Sequence, residues 1–274
     1  MRKIIIITGA GSGLGKEFAV QLASLFNSQK ENLELWLIAR TEENLKKTSE
    51  LVQKTLSNEN SSFIKIRIFL IDLGGVHGVN AFKKLVQDEN ELSQINIQIL
   101  VNNAGFGTYG SFCETPIDEE LKMIDLNCTS LTGLCSCALN YMDKGSLIIN
   151  VSSLAAFMPL GNFAVYAATK AFVLSFSVAL CAEVKDRGIK VCALCPGSVS
   201  TNFSNVASNG ARKEVLHGKS PQKVVRHCIK NALKGKKIIL WSPKWKFTAF
   251  MSRFVGRFLV ARYTFLFNKR PRKN

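Results

Sequence analysis

Short apolar runs alternate along this chain with longer segments in which apolar residues recur at helical spacing. The seven runs are residues 4–7, 33–39, 64–71, 97–101, 147–151, 190–194 and 237–241, and the six helical segments are 13–29, 42–56, 77–93, 117–142, 164–187 and 220–233. The runs are rich in Ile, Leu and Val with little polar alternation, which is typical of parallel strands covered on both faces. The pattern predicts one α/β domain over residues 1–241, a doubly wound seven-stranded parallel sheet with helices on both faces.

The first apolar run ends in a glycine-rich turn, Thr8 to Gly15, which reads TGAGSGLG and opens directly into a helical segment. Glycines allow a tight turn and the close approach of a pyrophosphate to the free N–H groups of a helix N-terminus. Glycine-rich turns are common, but this one lies between an N-terminal strand and a helix, which predicts a Rossmann-like dinucleotide site. The GxxxxGK[ST] pattern of P-loop ATPases does not occur in the sequence.

The ends of the second and third runs bear on the choice of dinucleotide. A fold selective for NAD usually has a carboxylate at the second strand end, which accepts a hydrogen bond from the adenosine ribose. Here Ala39 is followed by Arg40, whose guanidinium suits a 2′-phosphate, so NADP(H) is predicted. The alternative is a surface arginine that caps the turn. Asp72 follows the third run, where adenine is expected, although a lone Asp could equally cap the next helix.

Three more motifs follow later runs. They are Asn102-Asn103-Ala104-Gly105 after the fourth run, Ser152-Ser153 after the fifth, and Tyr166 with Lys170 four residues later. On a helix Tyr166 and Lys170 share one face, and we expect the ammonium to lower the pKa of the phenol. Of the four tyrosines, only Tyr166 has Lys at this spacing. The alternative, a half-exposed Tyr–Lys pair on a helix surface, leaves the serine spacing and the glycine turn unexplained.

Over about residues 1–241 the sequence resembles the short-chain dehydrogenase/reductase family. The motifs that carry the resemblance occur in the family's order, namely the glycine turn, the NNAG motif, the serine, YxxxK and the Pro196-Gly197 turn. The resemblance implies that Tyr166 is the general acid that protonates a carbonyl oxygen. Lys170 is implied to lower the tyrosine pKa and to bond the nicotinamide ribose. Ser153, rather than Ser152, is implied to orient and polarise the carbonyl, and Asn127 to support a proton-relay water.

The same resemblance implies the residues that contact the cofactor. They are Thr8, Gly9, Ser12, Gly13, Leu14, Gly15, Arg40, Asp72, Asn103, Ala104, Gly105, Tyr166, Lys170, Pro196, Gly197, Val199 and Thr201. Some NADP-preferring members have a basic residue at position 12, so its absence leaves Arg40 as the main argument for NADP(H). No metal is expected, because Cys192 and Cys195 lie three apart on a strand and point to opposite faces. The eight cysteines indicate core thiols in a reducing compartment.

The expected substrate is a hydrophobic ketone. Apolar residues near the catalytic positions, Phe106, Phe157, Met158, Pro159, Leu160 and Phe163, suit its pocket, although they could simply be core. Residues 198–216 occupy the place of the family's substrate-covering lid. Within the family, the stretch from Pro159 to Phe203 and the C-terminus look most like 3-oxoacyl-CoA and hydroxysteroid-type ketoreductases.

The formal net charge of +16 comes entirely from the last part of the chain. Residues 1–214 carry 20 basic and 20 acidic side chains, whereas residues 215–274 carry 16 basic and no acidic ones. No nucleic-acid-binding module is recognisable there, so a nucleic-acid partner is not expected. We predict that residues 242–274 form a basic amphipathic tail, with 244–267 as one helix at an anionic membrane interface, since three internal arginines disfavour a span. The alternative is a helix packed on its own domain or across a dimer.

These patterns predict an NADPH-dependent oxidoreductase that reduces a 3-oxoacyl or other lipid- or steroid-like ketone. The alternative is a non-catalytic NADP(H)-binding interaction protein, and such proteins usually lack the tyrosine or the lysine. The resemblance implies a homodimer or homotetramer formed through the helices with Asn127 and Tyr166. The first apolar run is too short for a secretory signal, so a cytoplasmic location, at the membrane surface, is expected.

Overall fold

Seven parallel strands form one sheet at the centre of the computed structural model, which describes residues 1–57, 63–212 and 218–273. The strands are β1 (Arg2–Thr8), β2 (Leu33–Ala39), β3 (Ile64–Leu70), β4 (Ile95–Asn102), β5 (Leu147–Val151), β6 (Lys190–Leu194) and β7 (Ile238–Ile239). Their order in the sheet is β3-β2-β1-β4-β5-β6-β7. The predicted fold class is confirmed, and each predicted apolar run overlaps a strand.

The strand order reverses between β1 and β4, because β2 and β3 lie on one side of β1 and the later strands on the other. The loops that follow the two central strands diverge at such a switch point and leave a crevice at the carboxyl edge. The register brings the strand ends to this edge, with Thr8 opposite Ile38 and Asn102 opposite Asn150. The glycine turn and the NNAG motif therefore meet at the crevice.

Helices cover both faces of the sheet. They are α1 (Gly13–Ser28), α2 (Glu42–Leu56), α3 (Gly75–Leu92), α4 (Ile117–Ile124), α5 (Leu131–Leu139), α6 (Ala164–Glu183), α7 (Phe203–Ala207), α8 (Pro221–Leu233), α9 (Pro243–Met251) and α10 (Arg257–Phe267). In β1, Ile5 and Ile7 pack in the core layer that includes Phe18 of α1, while Ile4 and Ile6 pack in the layer on the other face. A strand between two helical layers has no solvent face, which explains the unalternated runs.

One described helix, α6, is long and apolar enough to cross a membrane by length and composition alone. Its residues Val173 and Leu180 are buried in the core beneath the sheet, and it also contains Tyr166 and Lys170. We therefore describe α6 as a core helix of the domain.

Two helical segments differ from their predictions. The segment 117–142 is interrupted by a π-helical turn at Asp125–Ser130, and its last regular helix ends at Leu139. The single helix predicted over residues 244–267 is wrong, because α9 ends at Met251 and α10 begins at Arg257. Ser252 and Gly256 in the connection are poor residues for a helix interior, and each of the two helices has its own packing site.

Both C-terminal helices pack at the carboxyl edge of the sheet. Trp245 of α9 is buried against Gly197, where an added Cβ would lie 2.4 Å from the indole Nε1. On α10, the Thr264 Oγ1 accepts a hydrogen bond of 2.8 Å from the Gly161 N–H. One face of each helix therefore packs on its own domain, which was the alternative to a purely interfacial helix. The domain boundary after residue 241 stays a prediction.

Candidate active site

A cleft of about 950 Å³ lies at the carboxyl edge of the sheet, over the switch point. Most of the predicted site residues line it, namely Gly9, Ser12, Gly13, Leu14, Arg40, Asp72, Asn103, Ala104, Gly105, Ser153, Tyr166, Lys170, Pro196, Gly197, Val199 and Thr201. Thr8, Gly15 and Asn127 do not line it and lie behind its wall. The eight cysteines are free thiols, and within the described ranges no three His, Cys, Asp or Glu side chains are grouped to hold a metal ion.

The glycine turn has a backbone conformation that other residues rarely adopt. Gly9 and Gly13 have φ angles of +63° and +53°, in the left-handed region that favours glycine. A Cβ at Gly15 would lie 2.2 Å from the Gly9 carbonyl oxygen, so α1 packs directly on the turn. Gly15 is therefore a packing residue of the turn, and its predicted contact with the cofactor stays a prediction. The Ser12 side chain does not cap α1, which leaves the first amides of the helix for an anion.

Thr8 and Asn103 connect the glycine turn to the end of β4. The Thr8 Oγ1 accepts hydrogen bonds of 3.0 Å from the N–H groups of Asn103 and Ala104. The Asn103 Nδ2 donates to the carbonyl oxygens of Thr8 and Gly9 at 3.0 and 3.1 Å. Thr8 is buried beneath the turn and positions it, and its predicted contact with the cofactor stays a prediction.

Arg40 and Asp72 lie at the end of the cleft that the strand order assigns to the adenosine. Arg40 is exposed and shares this wall with Asn44, and no carboxylate precedes it because residue 39 is alanine. The Asp72 Oδ1 accepts a hydrogen bond of 3.1 Å from the Gly74 N–H, directly before α3. Asp72 therefore lines the cleft and also orders the start of the next helix, the two roles considered for it.

Tyr166 lies in the first turn of α6, among aromatic side chains. The Phe163 ring stacks on it with centroids 4.1 Å apart and planes 16° apart, and the Phe203 ring is tilted against it at 5.4 Å. Burial raises the pKa of the Tyr166 phenol well above its ordinary value, and a hydrogen bond with Ser153 offsets only part of the rise. The phenol is therefore protonated at neutral pH, as a general acid must be.

Lys170 is buried one turn further along α6. Its Nζ donates a hydrogen bond of 2.9 Å to the Val151 carbonyl oxygen and lies 5.7 Å from the centre of the Tyr166 ring. Burial lowers the pKa of Lys170 to about 8. Lys170 is not among the groups that shift the pKa of Tyr166 in this structure, so its effect on that pKa stays a prediction. The ammonium bonds the end of β5, and burial outweighs every other influence on the phenol.

The two serines after β5 have different partners. Ser153 precedes a 3₁₀ turn, Leu154–Phe157, and its Oγ accepts a hydrogen bond of 3.1 Å from the Ala155 N–H. The same hydroxyl donates a bond of 3.4 Å to the Pro196 carbonyl oxygen, and the Ser153 side chain lowers the pKa of Tyr166. Ser152 is buried, and its hydroxyl donates a bond of 2.8 Å to the Lys170 carbonyl oxygen. Ser153, rather than Ser152, is therefore the serine whose side chain acts on the pKa of the tyrosine.

Asn127 lies behind the cleft wall, in the π-helical turn between α4 and α5. Its Nδ2 donates to the Phe106 carbonyl oxygen at 2.9 Å and to the Thr169 Oγ1 at 3.1 Å, and its Oδ1 accepts from the Phe106 N–H at 3.1 Å. A Cβ at Gly105 would lie 2.7 Å from the Asn127 Oδ1 and 3.4 Å from the Lys170 Nζ. Asn127 therefore fixes the loop after β4 against α6, and its part in a proton relay stays a prediction.

The substrate end of the cleft contains four of the six predicted pocket residues, namely Phe106, Met158, Leu160 and Phe163. Phe157 instead lines a separate groove of about 320 Å³ beside β7 and α9, and Pro159 is exposed. Met158 has an extended backbone, in which neighbouring side chains point to opposite sides, so Met158 faces the cleft and Pro159 does not.

The predicted lid, residues 198–216, is described as far as residue 212, and its last four residues lie outside the described ranges. Its short helix α7 places Phe203 against Tyr166. The Ser204 Oγ lies 3.3 Å from the Tyr109 hydroxyl, on the other side of the cleft. The described part of this segment therefore covers the substrate end.

Sequence reasoning missed two residues at the substrate end, Tyr109 and Arg270. The Tyr109 ring packs edge-on against Phe163 at 4.9 Å, and the Arg270 guanidinium lies over the same ring at 5.1 Å. The position of Tyr109 soon after the NNAG motif is a signal that could have placed it near the cleft. Arg270 has no such signal, because it is one of many basic residues in a tail without strand or helix periodicity at that point.

The fold and the site together define a Rossmann-type oxidoreductase framework, and the sequence comparison assigns its family. The chain belongs to the short-chain dehydrogenase family, whose pattern matches residues 3–211. It is 32% identical over 212 residues, 76% of this chain, to 17-beta-hydroxysteroid dehydrogenase type 3 of Mus musculus. It is 31% identical over 231 residues, 82% of this chain, to the very-long-chain 3-oxoacyl-CoA reductase of Rattus norvegicus. The aligned parts span 64% and 67% of these two relatives' own lengths.

Solved structures support the same fold. A short-chain dehydrogenase from Sphingobium yanoikuyae in complex with NADPH matches with a TM-score of 0.74 and 23% identity, over 92% of this chain and 94% of that one. A short chain dehydrogenase/reductase from Burkholderia phymatum in complex with NAD matches with a TM-score of 0.74 and 20% identity, over 91% and 92%. These two neighbours hold different dinucleotides.

Proposed function

We propose that this protein reduces the carbonyl group of a hydrophobic ketone with NADPH. The observation that carries the proposal is the buried Tyr166 phenol in the wall of the cleft, which is protonated at neutral pH and whose pKa the Ser153 side chain influences. A protonated acid beside a second hydroxyl in an apolar site is the arrangement that carbonyl reduction requires. The presence of both Tyr166 and Lys170 argues against a protein that binds the cofactor without catalysis.

The residues at the switch point fit a dinucleotide. The left-handed Gly9 and Gly13 and the uncapped first turn of α1 offer backbone N–H groups to a pyrophosphate. A side chain at Gly105 would fill the space beside Asn127 and Lys170, so glycine keeps this part of the cleft open. The bound nicotinamide would supply the hydride, which is chemistry that no side chain provides.

The chain's own residues orient the ketone and move the proton. The hydroxyl groups of Ser153 and Tyr166 hydrogen-bond the carbonyl oxygen of the substrate. As the carbonyl carbon gains the hydride, Tyr166 gives its proton to that oxygen, so no alkoxide charge remains in the apolar site. Lys170 is cationic below about pH 8 and stabilises the phenolate until solvent returns the proton. Phe163 and Phe203 cover the phenol and limit the access of water.

We infer a preference for NADPH from the adenosine end of the cleft. Arg40 supplies a cation where the 2′-phosphate of NADPH lies, and Ala39 supplies no carboxylate for the free 2′-hydroxyl of NADH. No lining residue at this end other than Asp72 is acidic among the described residues, and Asp72 is engaged with Gly74.

The apolar lining and the names of the relatives support a 3-oxoacyl, steroid-like or other lipid ketone as substrate. A panel of 3-oxoacyl thioesters, steroid ketones and short ketones, each with NADPH, tests the proposal through the loss of absorbance of the reduced cofactor. We expect turnover with the large apolar ketones and little with the short ones. No consumption of NADPH with any ketone would contradict the proposal.

We further propose that the outer faces of α9 and α10 bind an anionic membrane surface. Large apolar side chains are exposed there, and they include Phe247, Phe250, Phe254, Phe258, Leu259, Tyr263 and Phe267. Lys246, Arg253 and Arg257 are exposed among them, and residues 215–274 contain no acid. An apolar patch bordered by cations suits the headgroup region of an anionic bilayer. Since both helices also pack beside the cleft, a lipid ketone would enter next to them.

We also infer a homodimer or homotetramer in a cytoplasmic setting. Exposed apolar side chains on α4 and α6, among them Leu121, Ile124, Phe172 and Val178, give these two helices a surface that a second copy would cover. Light scattering of the purified protein tests the oligomer, and a Phe172→Glu variant that dissociates it would support this surface.

A further inference from the structure

Arg270 lies at the substrate end of the cleft, although it belongs to the C-terminal tail. Its guanidinium is over the Phe163 ring, 5.1 Å from the ring centre, and its Nη1 donates a hydrogen bond of 3.0 Å to the Gly161 carbonyl oxygen. The Phe163 ring in turn stacks on the Tyr166 ring at 4.1 Å. One aromatic ring therefore connects the guanidinium to the general acid.

Arg270 has no acidic partner among the described residues. Its neighbour Arg272 pairs with Glu119 at 2.6 Å, but no carboxylate of the described chain lies within ion-pair distance of Arg270. Among the described residues, the only acid that lines the cleft is Asp72, at the adenosine end. A guanidinium has five N–H donors, and the Gly161 carbonyl accepts from one of its nitrogens.

A second cation, Arg212, adds positive charge near the substrate end of the cleft. The Arg212 guanidinium lies over the Tyr109 ring at 5.9 Å, and Tyr109 packs edge-on against Phe163. Arg270 is half-buried, and burial, with a smaller contribution from the charge of Arg212, lowers the pKa of its guanidinium although Tyr109 acts in the opposite direction. A half-buried cation beside another cation is unfavourable unless an anion reaches it.

We propose that Arg270 binds a carboxylate on the substrate, so that the preferred ketone is an apolar oxo acid. The carboxylate and the reacting carbonyl of this acid are separated by about the width of the Phe163 ring. This inference rests on the proposed ketone reduction. The other described cations of the cleft lie elsewhere. Arg40 is at the adenosine end, and Lys170 bonds Val151. Lys219 lies over the Trp241 ring, and Lys244 is exposed in the first turn of α9. Within the described ranges, Arg270 is the cation that lies over the ring stacked on Tyr166. A guanidinium binds a carboxylate through two parallel hydrogen bonds.

A purely structural role for Arg270 makes a different prediction. Its bond to Gly161 helps to hold the tail, and so does the ion pair between Arg272 and Glu119. Arg272 does not line the cleft. Arg272→Gln is therefore the matched control, because it loosens the tail without removing a cation from the substrate end.

The test compares a series of oxo fatty acids with their methyl esters as substrates with NADPH, in the wild-type protein and in the Arg270→Gln, Arg270→Lys and Arg272→Gln variants. We expect the wild type to have kcat/KM at least about tenfold higher for the best acid than for its ester, mainly through KM. We expect this acid-to-ester ratio to collapse in Arg270→Gln, to be partly kept in Arg270→Lys and to be unchanged in Arg272→Gln. A wild-type ratio near one, or equal changes of the ratio in Arg270→Gln and Arg272→Gln, would overturn the inference.

A binding measurement separates this inference from the proposed reaction. Calorimetric titration of the protein saturated with NADP⁺ compares a saturated fatty carboxylate with its methyl ester, and it needs no turnover. The anion subsite is supported if the carboxylate binds more tightly than the ester and this difference is lost in Arg270→Gln. This holds even if no ketone is reduced, and then only the proposed reaction fails. Equal binding of acid and ester overturns the subsite, whether or not ketones are reduced.

Discussion

At the scale of single residues, burial moves the pKa values of Tyr166 and Lys170 in opposite directions for one reason. Burial disfavours the charged form of each group, so the pKa of the phenol rises and the pKa of the ammonium falls to about 8. At neutral pH the site therefore holds a neutral acid beside a cation. A polyanionic dinucleotide bound near Lys170 favours its charged form and raises its pKa again.

This arrangement predicts a pH dependence of NADPH binding. The pKa of Lys170 is higher in the complex than in the free protein, so the full affinity is present below about pH 8 and is lost as the pH rises through the higher value. Fluorescence titration of NADPH from about pH 6 to about pH 10 measures this. A Lys170→Met variant should bind NADPH more weakly, and its affinity should vary less with pH. Identical pH profiles of affinity in the variant and the wild type would show that Lys170 does not cause the pH dependence.

Arg40 is predicted to select the cofactor. Arg40→Ala should raise KM for NADPH by about tenfold or more, because a charge-assisted contact to the 2′-phosphate is lost. KM for NADH serves as the internal control and should hardly change, since NADH has no phosphate there. Equal kcat/KM with NADPH and NADH in the unmodified protein would contradict the assignment.

At the scale of elements, glycine allows the C-terminal helix to dock beside the active site. A Cβ at Gly161 would lie 2.5 Å from the Phe265 Cβ and 2.7 Å from the Ala261 carbonyl oxygen. The next residue, Asn162, has a φ of +58°, and its Nδ2 donates a bond of 2.9 Å to the Phe265 carbonyl oxygen. Helix α10 is thus fixed to the loop that leads into α6 and Tyr166.

We predict that Gly161→Ala releases α10 from this loop. The methyl group has no space against Phe265, so the connection between α9 and α10 should become more accessible and trypsin should cleave after Arg253 and Arg257 faster than in the wild type. Gly256→Ala is the matched control, because its added Cβ meets only Leu259 at 3.6 Å, an ordinary contact. Equal cleavage rates in the two variants would contradict the docking described here.

The amino-terminal edge of the sheet has a cluster of ion pairs far from the cleft. Arg2 of β1 lies 3.3 Å from Glu34 of β2 and 3.1 Å from Glu89 of α3, and the Arg67 Nη2 lies 2.6 Å from the Glu89 Oε1. Hydrogen bonding from Arg67 holds the pKa of Glu89 below its usual range despite burial. Burial would raise the pKa of Glu34, but the Trp36 N–H and the two arginines outweigh it and lower that pKa as well.

These lowered pKa values predict how stability depends on pH. The stabilisation by the two carboxylates is fully present above their unfolded pKa, near 4.5, and is lost as the pH falls through the lower folded values. Glu89→Gln should lower the free energy of unfolding at neutral pH by about 2 kcal/mol and weaken its acid dependence, as measured by urea unfolding. Glu43→Gln, in an exposed ion pair on α2, is the control. It should leave the free energy of unfolding and its dependence on acid pH nearly unchanged.

At the scale of the whole molecule, the fold could be predicted and the tail could not. Runs such as residues 4–7 repeat one pattern seven times, and a strand end followed by TGAGSGLG has few structural solutions, so sheet, cleft and the place of Tyr166 followed from local sequence. The break between α9 and α10, the docking of Trp245 on Gly197 and the place of Arg270 depend on contacts between residues far apart in the chain. The pKa of Tyr166 depends on burial by Phe163 and Phe203, which spacing on a helix does not reveal.

We predict that the whole protein floats with anionic liposomes and releases at high salt. Replacing the exposed Phe250, Phe254 and Phe258 with serine should abolish flotation, because the apolar face of the two helices is lost. The control replaces three exposed apolar residues elsewhere, Val76, Leu92 and Phe112, and should float like the wild type. Wild-type protein that remains in the soluble fraction at low salt would exclude the membrane proposal.

The central claim, that Tyr166 is the acid in an NADPH-dependent ketone reduction, is tested most directly by Tyr166→Phe. The variant keeps the aromatic stack with Phe163 and removes only the hydroxyl. For the best ketone of the panel we predict that kcat falls by about 10²–10⁴-fold while the Kd for NADPH, measured by fluorescence titration, stays within about twofold. Reduction of that ketone by the variant at a rate near that of the wild type would contradict the claim.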